Sequence, residues 1–263
     1  MKKLYEKNEV GFALVWIGLY VVLMNVGMQV CGGFDDLASK TVGSLLVPVL
    51  FGAALAAAST LWIVRNGLQE KYGLCRFRGD GRAFLFFIPV LLMSVTNLKN
   101  GVGLTAPLVL TLLMMANKAV AGYVEEIIFR GFLFRAMEKS GVRSAVIVSG
   151  VTFGVGHIVN LANTEDTLGV LLQVAYAVVI GLMFTLIVWK GGSLWPCILS
   201  HMFVNGSSCF ALQQGPFTDL VNAAFGQPGD AAVQAVGAVL LMLVTGAYAL
   251  WLWLRVPALP TKA

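Results

Sequence analysis

Apolar residues fall in long blocks separated by short polar breaks, at roughly 10–31, 42–64, 83–96, 105–129, 144–160, 167–189, 193–212 and 231–254. Most of these blocks reach the about 20 residues that a helix needs to cross a bilayer. The third and fifth are the shortest. The pattern predicts an all-α fold, a polytopic transmembrane helix bundle of about eight helices. Residues 1–263 read as one transmembrane domain, with no internal repeat and no low-complexity stretch. Two polar stretches stand out. Arg65 to Arg82 is basic and contains Gly67, Gly73, Gly79 and Gly81, which predicts a loop lying near lipid headgroups. Gln213 to Asp230, with Pro216 and Pro228, predicts a loop on the opposite side.

Composition agrees with the blocks. The chain is 58% hydrophobic and 12% charged, with a mean hydropathy of +0.83, against about 45–50% and about 25% in soluble domains. That much apolar surface cannot be hidden in one globular core, so an integral, multi-pass membrane protein is expected. The basic N-terminus, Met1 to Lys7, precedes a run from Val10 that is too long for a signal peptide and lacks a small-residue cleavage site, so it predicts a retained first helix. The four cysteines, Cys31, Cys75, Cys197 and Cys209, are scattered without a C-x-x-C pair, which leaves apolar packing as their role.

Charge orders the loops. Lys2, Lys3 and Lys7 precede the first block. Arg65, Lys71, Arg76, Arg78 and Arg82 follow the second. Arg130, Arg135, Lys139 and Arg143 follow the fourth. Lys190 follows the sixth, and Arg255 and Lys262 follow the last. The alternate loops carry Asp35, Asp36, Glu165, Asp166, Asp219 and Asp230, with only Lys40 and Lys99 as bases. The positive-inside rule then predicts both termini in the cytoplasm. The net charge of +5 is spent on topology, so the lipid bilayer is the expected partner and nucleic acid is not.

Ionisable groups at membrane depth are expensive and are functional candidates by default. The fourth block ends in Glu125-Glu126-Ile127-Ile128-Phe129-Arg130. Glu126 and Arg130, four apart on a helix, can pair. Glu125 points elsewhere, free to act as a general base. The bland alternative is that all three mark the end of a helix. The fifth block holds Phe153-Gly154-Val155-Gly156-His157, in which Phe153 and His157 share a face and the two glycines allow a close helix neighbour. The seventh holds His201-Met202-Phe203-Val204-Asn205, two polar side chains on one face that suit an oxyanion hole. Either histidine could instead serve only as an interhelical hydrogen-bond partner, and His201 could equally be a metal ligand. Both histidines of the chain fall in such blocks, which favours one shared site over separate packing roles.

The order E-E-x-x-F-R, F-x-x-x-H, H-x-x-x-N resembles the CPBP intramembrane proteases, which include the CAAX prenyl endopeptidases of the Ras-converting-enzyme type and the bacteriocin-processing and immunity proteins. The motifs span roughly 107–210. The resemblance implies hydrolysis of a peptide bond in a membrane-associated protein or peptide, with Glu125, His157, His201 and Asn205 catalytic and Glu126 and Arg130 supporting them. It leaves two chemistries open, a glutamate-activated water or a divalent metal such as zinc held by His157, His201 and Glu125; the zincin H-E-x-x-H is absent. A non-catalytic immunity or regulatory protein of the same family is the alternative, and a small proton-coupled transporter is a third reading that would call for repeated halves. Short cytoplasmic loops without added domains fit a bacterial inner membrane. One geometric conflict stands in the sequence: if the fifth helix starts near Arg143, His157 lies about 21 Å from that end, whereas Glu125 lies close to the end of its own block. An extended fourth helix, a deeper or tilted fifth one, or a water-filled cavity would each relieve it.

Overall fold

The computed structural model describes residues 1–33, 37–226 and 229–259. Asp35, Asp36, Pro228 and Lys262, used in the charge and loop readings above, lie outside the described residues. The elements are α1 (Lys2–Lys7), α2 (Glu9–Val30), α3 (Val42–Arg65), α4 (Gln69–Tyr72), α5 (Ile88–Asn97), α6 (Leu108–Ser140), α7 (Val142–Ala162, its last turns 3₁₀), α8 (Thr167–Gly191), α9 (Trp195–Ser207), α10 (Pro216–Phe225) and α11 (Asp230–Arg255). Among the described residues there is no strand, only an isolated antiparallel bridge between Val102 and Ala211. Among the described residues, six helices are long and apolar enough to cross a membrane: α2, α3, α6, α7, α8 and α11.

All eight predicted blocks are helical, but their lengths are redistributed. The fifth, short by its apolar run, reaches 21 residues as α7, gaining Val142 and Arg143 at its start and Leu161 and Ala162 at its end. The seventh is the short one: α9 has 13 residues. The predicted loop over Gln213–Asp230 contains α10. The fourth is longest, 33 residues, so Arg130 and Arg135 lie within a helix and not in a loop.

That extension removes the conflict over depth. Gly141 joins α6 to α7, and sixteen residues separate it from Glu125 on one side and from His157 on the other. Both side chains therefore sit about 24 Å from the turn at about 1.5 Å per residue, at one level of the bundle.

Local chemistry fixes the ends. Asn8 caps α2 through Gly11 N–H at 2.9 Å, Thr41 and Ser44 form a capping box on α3, and Asp166 caps α8 through Gly169 N–H at 2.9 Å. Lys190 is not a loose topology marker. It is buried, and its ammonium donates to the carbonyls of Leu252 (2.7 Å), Trp253 (3.0 Å) and Val256, at the C-terminal end of α11, where the helix dipole favours a cation. The basic stretch after α3 is bonded to the bundle: Lys71 pairs with Glu9, the Arg78 amide donates to the Gly191 carbonyl, and Leu194 N–H donates to Gly73 O at 2.7 Å. The starts of α2 and α9 and the ends of α3, α8 and α11 are thus tied together at one end of the bundle. Arg143, stacked over Trp253, joins them.

The most enclosed of the six long helices is α8. It packs against α7 and α11. At Gly154 a Cβ would stand 2.5 Å from the Val178 backbone nitrogen, and at Gly181 one would stand 2.8 Å from the Gly150 carbonyl oxygen. Small residues at such crossings let two backbones meet where lipid supplies no hydrophobic drive. The anticipated role of the two glycines holds for Gly154 only, since a Cβ on Gly156 meets nothing within 4 Å. Elsewhere the outer faces are apolar: Leu50, Leu199, Phe203, Leu243 and Leu254 are each more than half exposed, as suits hydrocarbon and not water.

These crossings predict that Gly154→Ala lowers stability in detergent by about 1–3 kcal/mol, while Gly156→Ala stays within about 0.5 kcal/mol. Thermal unfolding of the two purified variants checks the contrast; equal losses would count against the packing described.

Candidate active site

The site begins at a defect in α6. From Glu126 to Leu133 the helix is π-type, a rare i→i+5 geometry that appears mostly as single turns and often at functional positions. The widened ladder starts at the glutamate pair. Ser149 on α7 donates to the Phe129 carbonyl at 2.9 Å, anchoring this segment to its neighbour.

Glu126 and Arg130 form the expected ion pair, Nη1 to Oε1 at 3.1 Å, with both side chains fully buried. They do not mark a helix end. The guanidinium lies 4.0 Å from the Phe153 ring centre and 5.7 Å from that of Phe184, so π-faces receive the part of the cation that the carboxylate does not. The same Glu126 Oε1 stands 2.8 Å from His201 Nδ1. The other ring nitrogen, Nε2, stands 3.4 Å from Glu125 Oε2. The Tyr20 hydroxyl, from α2, donates to Glu125 Oε1. One chain of contacts therefore runs Arg130, Glu126, His201, Glu125, Tyr20.

This differs from the division expected of adjacent residues on a regular helix. Glu125 is not left alone; a single imidazole bridges both carboxylates. Arg130 balances one of them. His201 can lie so close to α6 because Gly122 has no side chain: a Cβ there would stand 3.2 Å from the imidazole Cγ.

Phe153 does more than share a face with His157. Its ring centre is 5.0 Å from that of His157 and 5.9 Å from that of His201, so it is wedged between the two imidazoles above Arg130. His157 lies on the wall of a cavity of about 640 Å³ together with Glu125, His201, Asn205, Tyr20 and Lys118. Asn205, one turn beyond His201, donates from Nδ2 to the Lys118 carbonyl at 3.4 Å, leaving its second amide hydrogen for the cavity. All four residues assigned to catalysis thus face one space, with Glu126 and Arg130 buried behind them.

The cavity has a direction. It extends past Asn160 and Asn163 to Thr164 and Asp166 in the exposed α7–α8 connection. No residue from the basic end of the bundle lines it. On that side the buried side chains of Ile127, Phe132, Phe134 and Phe184 close the core.

Among the described residues no group of three or more His, Cys, Asp or Glu side chains stands where it could hold a metal ion.

Three contributors escaped the sequence reading. Tyr20 gave no signal, since a tyrosine in an apolar helix is ordinary. Gly122 is one of 29 glycines. Lys118 did carry a signal, a charge inside the fourth apolar block.

A carboxylate–imidazole site walled into a membrane helix bundle defines the class. Residues 105–207 match the family model for type II CAAX prenyl endopeptidases, Rce1-like. The matched stretch, about two-fifths of the chain, holds α6 to α9 and both motif histidines, and it bears out the resemblance to the CPBP intramembrane proteases. A comparison with the curated proteins finds no match.

The buried pair predicts a non-additive response. Arg130→Met should cost about 3–5 kcal/mol by stranding the Glu126 charge, and Glu126→Gln added to it should restore part of that loss. Denaturant unfolding of the wild type, both single variants and the double variant measures the coupling; simple additivity would show that the pair is not coupled.

Proposed function

We propose that the chain is an intramembrane endopeptidase that hydrolyses a peptide bond with a water activated by Glu125. The observation that carries this reading is the position of Glu125, at the cavity wall, held by Tyr20 and by an imidazole that Glu126 and Arg130 orient. In the proposed step Glu125 takes a proton from water as the oxygen attacks the scissile carbonyl carbon. The negative oxygen that forms is met by the Asn205 amide and the His201 ring. Glu125 then returns the proton to the leaving amine as the C–N bond breaks, releasing a carboxylate and an amine. His157, across Phe153, assists in holding the water and carries proton density away from Glu125. Glu126 and Arg130 act through His201 and touch no reacting atom.

The fit of Asn205 and His201 to an oxyanion supports peptide hydrolysis over simple peptide binding, because a binding pocket has no need of two donors beside a carboxylate. With purified protein and a library of membrane-associated peptides, Glu125→Gln should abolish cleavage. Asn205→Ala should reduce turnover by about 10²-fold, the usual cost of one oxyanion donor. Near-wild-type turnover in either variant would remove that residue from its role.

We infer the orientation from the charge at the two ends of the bundle. Under the positive-inside rule the end bearing Lys71, Arg143 and Lys190 faces the cytoplasm, with both termini, so the cavity mouth near Asp166 faces the other side. The substrate is then a peptide or protein presented at the outer leaflet. In a Cys75→Ser background, a membrane-impermeant maleimide should label Glu165→Cys in intact cells and Lys139→Cys only after permeabilisation. The reverse pattern would invert the topology and with it the side from which substrate arrives.

A further inference from the structure

Sulfur gathers on one side of the cavity. Met28 and Cys31 at the end of α2, Met114 on α6 and Cys209 just beyond α9 belong to one buried cluster. Each is less than a tenth exposed. The Cys31 Sγ stands 4.0 Å from the Met28 Sδ. On α6 the Asn117 amide nitrogen lies 3.6 Å from the same Met28 sulfur and 4.0 Å from that of Met114. Asn117 is itself only 5% exposed, and its Oδ1 has no hydrogen-bond partner among the described residues. A polar amide buried among thioethers with an orphaned oxygen is destabilising. Apolar packing, the role read from the cysteine spacing, accounts for the volume of this cluster but not for Asn117.

We propose that Met28, Cys31 and Met114 form a binding site for a soft monovalent metal ion, Cu(I), with the Asn117 amide set against two of the three ligands. Thiolate and thioether sulfur select Cu(I) over harder cations. The spacing fits as well. Two sulfurs that each bind one ion at about 2.3 Å and subtend about 120° at it stand about 4 Å apart, the separation between Cys31 and Met28. Charge decides between ions. A metal displaces the Cys31 thiol proton, so a monovalent ion exchanges one positive charge for another and leaves the charge of the cluster as it was. A divalent ion would add a charge beside the Lys40 ammonium, which holds the Gly32 carbonyl at 2.8 Å and lies near enough to Cys31 to act on its charge. In a low-dielectric site that addition is expensive. Entry is open, because Met28 and Asn117 both line the cavity that holds Glu125. Once seated, the ion ties the end of α2 to α6. The site does not depend on the endopeptidase reading, and its test involves no cleavage.

The full-length protein, purified in detergent and kept anaerobic with ascorbate, is titrated against the Cu(I) complex of bathocuproine disulfonate. The wild type should withdraw about one equivalent of Cu(I) and release about one proton. Met28→Leu and Met114→Leu, which conserve volume, should each weaken uptake by about tenfold or more. Cys31→Ser should abolish it, and Cys75→Ser should leave it unchanged. Ag(I), a redox-inert probe, should displace the copper, and Zn(II) should not. Thermal unfolding separates loss of the site from loss of the fold: the leucine variants should melt with the metal-free wild type, and Ag(I) should raise the melting temperature of the wild type alone. The proposal is overturned if the wild type takes up no Cu(I), or if uptake is undiminished in Cys31→Ser or in both leucine variants. Loss of uptake in Cys75→Ser overturns it too, by assigning the ion to that half-buried thiol, as does displacement by Zn(II) as readily as by Ag(I).

Discussion

The fully buried guanidinium of Arg130 is the constraint on which the rest of the site depends. A positive charge with no solvent exposure must be met on every side, and the fold meets it with Glu126 in front and the faces of Phe153 and Phe184 around it. Each of these partners has a second contact. Glu126 orients His201, which reaches Glu125. Phe153 touches both imidazoles. One ion pair thus sets the positions of groups on α6, α7 and α9, and the π segment of α6 lets two successive glutamates address one ring.

The bundle around this pair is arranged to hold a wet pocket inside an apolar body. Close crossings between α7 and α8, where Gly150, Gly154 and Gly181 meet backbone, make one wall rigid. The opposite side, with Lys118, Ser208 and Asn205, supplies polar groups that a bilayer would not tolerate if they faced lipid. Water-lined polar surface and lipid-facing leucine therefore lie only a helix diameter apart.

Much of this was legible in the chain. The apolar blocks gave the helices, because period and length are direct consequences of bilayer thickness. Glu126 and Arg130 could be paired by spacing alone, and the two histidines and Asn205 could be gathered because polar residues in such blocks have few other reasons to be there. What stayed hidden was set by contacts distant in sequence. The reach of α6 to Ser140 depends on packing around Arg130, which as an isolated residue looks like a helix end. The π turn has no signature in residue type. Tyr20, 105 residues from Glu125, is chosen by tertiary geometry. Lys118 was visible as a charge inside the fourth apolar block but belongs to none of the three motifs.

The aromatic floor of the cavity has an electrical consequence. A polar cavity opening at one end of a membrane protein shortens the insulating path to what remains beneath it. Titratable groups at its base, Glu125, Glu126, His157 and His201, are the kind of relay that pumps use to pass protons. Here the packed side chains of Ile127, Phe132, Phe134 and Phe184 offer no polar atom to continue such a relay. The membrane voltage, worth about 2.3 kcal/mol per charge for each 100 mV, then falls chiefly across this thin dielectric plug. The protein can admit water to a buried bond without short-circuiting the gradient its membrane maintains.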